Sequence, residues 1–100
     1  MIEHAIVIAF DYGLPDLSAL FALEEELELL IPPGVGEVDG NEIAVDLSDG
    51  SLYLYGPDAD ALWAAISPAV NATGFMRGAT VRLRYGPPED GVREVLHRIQ

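Results

Sequence analysis

Alternating apolar residues open the chain. Ile2, His4, Ile6, Ile8 and Phe10 fall on one side of an extended segment, and Glu3, Ala5, Val7 and Ala9 on the other. That pattern predicts a strand over residues 2–10, buried on at least one face. Asp11-Tyr12-Gly13-Leu14-Pro15-Asp16 interrupts it, and the apolar period then lengthens. Leu17, Leu20, Phe21, Leu23, Leu27, Leu30 and Ile31 recur every three to four residues, as the buried stripe of a helix does. Pro15 suits the first turn, Asp16 faces the positive end of the helix dipole, and Pro32-Pro33-Gly34 is a firm stop. Gly36 to Asp39 leads into Glu42-Ile43-Ala44-Val45-Asp46, which alternates as a half-buried strand. Ser48-Asp49-Gly50 carries a tight-turn signal, and Leu52-Tyr53-Leu54-Tyr55 is the returning strand of a hairpin. Gly56-Pro57-Asp58 opens a second helix capped by Asp58, with Leu62, Ile66, Ala69, Val70 and Thr73 as its buried stripe. Pro68 inside that stripe predicts a kink or an early end. Thr80-Val81-Arg82-Leu83-Arg84-Tyr85 alternates again as a strand.

The order β-α-β-β-α-β is that of a ferredoxin-like sandwich, an α+β fold with two helices on one face of an antiparallel sheet. Right-handed crossovers set the expected strand order at 4-1-3-2, and residues 1–100 form one domain. After Gly86-Pro87-Pro88 the tail reads two ways. Val92, Val95, Leu96 and Ile99 have helical spacing, whereas a six-residue loop returns the chain as a fifth strand beside the fourth, which is the preferred reading. Val38-Asp39-Gly40-Asn41-Glu42-Ile43, Tyr55-Gly56-Pro57-Asp58-Ala59-Asp60 and Arg84-Tyr85-Gly86-Pro87-Pro88 resemble segments of small uncharacterised bacterial proteins with this ferredoxin-like fold. The resemblance implies the fold and assigns no activity to particular residues.

Charge changes the picture more than hydropathy does. Residues 1–76 hold 14 acids and no Lys or Arg, while residues 77–100 hold five Arg against three acids. The net charge of −12 is therefore a segment of −14 followed by one of +2. Such acidity disfavours nucleic acid and anionic membrane surfaces, both of which select for Lys and Arg. No apolar run approaches the roughly 20 residues of a membrane span. Zero Cys removes disulfides, thiolate metal sites and Cys nucleophiles, and Met1-Ile2-Glu3-His4 lacks the basic start of a secretory signal. A reducing cytoplasm is the expected setting.

Candidate chemistry gathers on the sheet face away from the helices. Alternation places Tyr53, Tyr55, Arg82 and Arg84 there with Ala5, Val7 and Ala9. A Tyr-bearing apolar face needs cover from a second copy of the chain, a partner or the tail. Arg82 and Arg84 either pair structurally with Glu3 or Asp11 or offer planar forks to an anion. Glu24, Glu25 and Glu28 read as a solvated helix face, or as an acidic patch for docking a basic partner. Glu37, Asp39, Asn41 and Glu42 lack the register of a calcium loop, and His4 and His97 have no second ligand at metal-site spacing. No nucleophile elbow or phosphate loop occurs, so no catalytic, cofactor or metal residue is assigned. Trp63 is expected at the core edge. The leading expectation is a non-enzymatic, acidic protein-binding module, of inhibitor or immunity type, engaging a basic protein partner or forming a homodimer. The alternative is a small enzyme or anionic-ligand-binding domain working at a homodimer cleft.

Overall fold

Residues 3–100 are described by a computed structural model in which strands and helices share one core. The elements are β1 (His4–Asp11), α1 (Ser18–Leu30), β2 (Glu37–Ile43), β3 (Asp49–Gly56), α2 (Ala59–Ala72), β4 (Thr80–Arg84) and β5 (Glu94–Arg98). A short 3-10 turn, Gly74–Met76, follows α2. Ile2, expected on the first strand, lies outside the described residues. Every strand pair is antiparallel, and the sheet order is β2-β3-β1-β4-β5. This departs from a four-strand 4-1-3-2 sheet: the tail is a strand and takes the edge outside β4.

One sheet face meets both helices. Ile6, Ile8 and Phe10 of β1, Leu52 and Leu54 of β3, and Val81 and Leu83 of β4 are buried against Leu20, Leu23 and Leu27 of α1 and Leu62, Ile66 and Val70 of α2. Among the described residues no polar or charged side chain is buried. Hydrophobic burial with few polar constraints therefore holds the sandwich together.

Local capping agrees with the chain's polar punctuation. Asp58 accepts from the Asp60 and Ala61 amides at 3.0 and 3.3 Å, satisfying two donors at the start of α2. The Ala59 amide donates to His4 Nδ1 at 3.0 Å, so β1 and α2 share the cap. Before α1, Asp16 Oδ1 accepts from the Ser18 amide at 2.9 Å and from its hydroxyl at 2.6 Å. These bonds favour the ionised form and lower the Asp16 pKa.

Four sequence expectations are corrected. The second strand is not Glu42–Asp46 but Glu37–Ile43, and Val45 is fully exposed. A bulge between Val38 and Gly40 explains the shift. Val38 and Ile43 have opposite parity, and only an inserted residue brings both to the helix side of the sheet, opposite Leu54 and Gly50. Gly40 sits there at φ 148°, where a side chain is disfavoured. Asp49-Gly50 is likewise not the hairpin turn. Residues 44–48 form it, with Asp46 Oδ1 accepting from the Ser48 amide at 3.0 Å and its hydroxyl at 2.6 Å, while Gly50 pairs with Ile43 inside the ladder. These bonds lower the Asp46 pKa.

The apolar stripe of α1 is narrower than its spacing suggests, because Phe21 and Leu30 are exposed. The helix spans more of its circumference with leucine than the sheet can cover, and Leu29 also points to solvent. Finally, of the two outcomes expected at Pro68, a kink or an early end, the early end does not occur, since α2 continues to Ala72. Proline costs about 3 kcal/mol inside a helix. Ile66 and Val70, both fully buried on either side of it, each contribute about 1.5–3 kcal/mol by burial, enough to hold the last turn in place.

Candidate functional site

The face opposite the helices is built in three rungs. Tyr55, Ala5 and Arg84 lie side by side across β3, β1 and β4; Tyr53, Val7 and Arg82 form the next rung; Ser51, Ala9 and Thr80 form the third. Glu37 and Glu42 extend the outer rungs on β2, and Glu94, Leu96 and Arg98 extend all three on β5. The structure thus places Tyr53, Tyr55, Arg82 and Arg84 on one surface.

Side-chain size gives this surface its shape. The central strand offers only Ala5, Val7 and Ala9, while tyrosines stand on one flank and arginines on the other. A furrow runs along β1, its walls two strand spacings apart, about 9–10 Å. Its depth is graded: Ala5 is 1% exposed, Val7 is half-buried and Ala9 is exposed. The end at Ala5 is closed to solvent, and the other end opens into a cleft of about 560 Å³ lined partly by Ala9, Asp11, Glu42, Asp49, Ser51 and Thr80.

Electrostatics differ between the two ends. At the closed end Arg84 Nε donates to the Gly86 carbonyl at 2.7 Å, which anchors the guanidinium. Arg82 Nε lies 3.9 Å from Glu94 Oε2, a solvent-exposed contact of small energetic value. Neither arginine pairs with Glu3 or Asp11, because the acid in reach stands on β5 instead. At the open end Asp11 and Asp49 are directly opposite one another, with Glu42 on the neighbouring strand. Like charges facing each other across a ladder destabilise it. Among the described residues no group of three or more His, Cys, Asp or Glu has metal-site geometry.

The acidic patch of α1 is split. Glu24 turns toward the sheet and accepts from Asn41 Nδ2, whereas Glu25 and Glu28 are exposed. Trp63 is half-buried and stacks on His97, with ring centres 6.2 Å apart and planes 8° apart.

Two further features are not expected from the sequence pattern. A cleft of about 720 Å³ between α1 and the 3-10 turn after α2 is lined by Tyr12, Leu14, Ala19, Ala22, Glu26 and Phe75, among others. Its one signal along the chain is the pair of alanines one turn apart on α1, which leave room for a neighbouring side chain. The second is a knot at the start of α2. Tyr85 donates its hydroxyl to Asp60 at 2.6 Å, His4 packs edge-on to the Tyr85 ring at 5.6 Å, and the Arg93 guanidinium lies 4.5 Å from that ring's centre. The Asp60 hydrogen bond raises the Tyr85 pKa above the usual phenol value, with burial and the Asp60 charge adding and Arg93 opposing. Positions 4, 60, 85 and 93 carry no shared spacing, so only the fold brings them together. No protein-family model, curated protein or solved structure matches the chain.

Proposed function

We propose that the protein is a non-enzymatic binding module that docks an extended segment of a partner protein along the β1 furrow. The carrying observation is the array of Tyr53, Tyr55, Arg82 and Arg84 around a floor of Ala5, Val7 and Ala9. Tyr and Arg are the side chains that most often anchor protein interfaces, because they bury large area and still make polar contacts. The segment that fits has an apolar stretch between the walls, a carboxylate near the arginines and a basic group over the Asp11, Glu42 and Asp49 cleft. The opposed Asp11 and Asp49 support the last element, since an incoming cation relieves their repulsion. Read from its β5 edge the strand order is 5-4-1-3-2, which supports a ferredoxin-like scaffold with an added edge strand.

A small anionic ligand suits this surface less well, because the adjoining cleft is lined by carboxylates. The acidic body instead favours a basic partner surface and fast, salt-sensitive association. The test compares proteins captured from the native host by the wild type, Tyr53→Ser/Tyr55→Ser, Arg82→Ser/Arg84→Ser and Ala22→Leu, the last filling the cleft between α1 and the 3-10 turn. One interactor should be retained by the wild type and Ala22→Leu and lost from both face variants. Retention by all four proteins, or an affinity unchanged between low and high salt, would refute docking at this face.

A further inference from the structure

The outer side of β5 is a backbone edge with a defined polarity. The Ile99 amide donates to the Ala79 carbonyl and the Ile99 carbonyl accepts from the Gly78 amide, both at 2.9 Å. The Arg93 carbonyl accepts from the Tyr85 amide at 3.0 Å. Strand backbone alternates, so residues 93, 95, 97 and 99 bond toward β4, and Glu94, Leu96 and Arg98 turn their amides and carbonyls away from the sheet. The side chains of these three stand on the furrow face, opposite Arg84, Arg82 and Thr80. All three are exposed, Leu96 by 59%.

We propose that this edge pairs with the same edge of a second copy, antiparallel about a two-fold axis through Leu96, joining two five-stranded sheets into one of ten strands. Charge selects the register. Outward-facing residues must oppose outward-facing residues. Centred on Leu96, the pairing sets Leu96 against Leu96 and Glu94 against Arg98 of the second copy at both ends. Sliding by two residues either way sets Leu96 against a charge and loses a rung. On the helix face the same register puts Val95 against His97 of the second copy, continuing the surface where Trp63 stacks on His97.

The whole-molecule charge points to the same edge. Residues 77–100 carry +2 and the rest of the chain −14, so contact through β5 brings the basic ends together and keeps the acidic bodies apart. The opposite edge is poorly suited. There β2 is interrupted by the bulge and carries Glu37, Asp39 and Glu42, features that discourage edge pairing, whereas β5 has neither bulge nor proline. The pairing is independent of what the furrow binds, although it sets two furrow faces on one side of a common sheet.

Sedimentation equilibrium tests the pairing through mass. The wild type should run at twice the 10.8 kDa of one chain at high protein concentration. Glu94→Arg opposes two basic groups and Arg98→Glu two acidic ones, so each variant alone should run at the mass of one chain. An equimolar mixture of the two restores opposite charges at every rung and should recover the two-chain mass. Leu96→Pro removes an outward amide and the leucine at the two-fold axis but no bond to β4, and should give a one-chain mass with unchanged circular dichroism. A wild type that stays at one chain, single variants that stay paired, or a mixture that stays unpaired would each overturn the proposal.

Discussion

Tyr85 shows how one side chain ties three parts of the chain together. It directly follows β4, bonds Asp60 in the first turn of α2, and receives the Arg93 guanidinium from just ahead of β5. Tyr85→Phe should cost about 0.5–1.5 kcal/mol, the net worth of a hydrogen bond, read as a lower urea midpoint. The pH dependence has a definite sign. The folded pKa is raised, so the bond's contribution is complete below the unfolded phenol pKa of about 10 and fades as pH rises beyond it. The stability gap between wild type and Tyr85→Phe should therefore shrink above about pH 10; a gap that widens there contradicts the assignment. Gly56 is constrained by space rather than φ. A Cβ there would lie 2.2 Å from the Val35 carbonyl oxygen and 3.0 Å from Gly36 Cα, both backbone atoms that cannot swing aside. Gly56→Ala should destabilise by about 1–3 kcal/mol in chemical denaturation. Asp49→Asn should act the other way, removing a like-charge pair and adding about 0.2–1 kcal/mol of stability while weakening binding of the furrow's partner. Equal loss of both would argue against the cationic contact.

At the level of elements, α2 and β2 are the instructive pair. Both carry a local feature that opposes the regular element, and tertiary burial decides the outcome. Pro68→Ala should restore the hydrogen bond to the Ala64 carbonyl and stabilise α2 by up to about 3 kcal/mol, measured by thermal or urea unfolding. No gain would mean that the surrounding packing already accommodates the ring. In β2 the inserted residue aligns Val38 with Ile43. Capping and alternation, by contrast, are legible along the chain. Asp58 caps as its position before an apolar period suggests, and β1, β3 and β4 pair without a break in register. The bulge is not legible there, because its cause is the packing of Val38 and Ile43 on other elements.

Charge governs the molecule as a whole. Among the described residues one ion pair lies within 4 Å, yet the chain carries −12. Repulsion thus outweighs specific attraction, and added salt should screen more of the former. The melting temperature should rise with sodium chloride, by about 4–8 °C for each kcal/mol of repulsion relieved. A melting temperature that falls with salt would instead mean that attractive pairs outweigh the repulsion.

Some features follow from periods and counts along the chain. The two-residue period puts Tyr53, Tyr55, Arg82 and Arg84 on one face wherever those strands pair, and the charge partition is a property of composition. Other features exist only once separate elements touch. The furrow needs small residues of β1 flanked by large ones of β3 and β4, and the knot needs residues 4, 60, 85 and 93 at one corner. The exposure of Phe21 and Leu30 depends on how much of α1 the sheet can cover. Backbone periodicity is local and survives any packing, whereas depth, exposure and side-chain contact are set by neighbours far away in sequence.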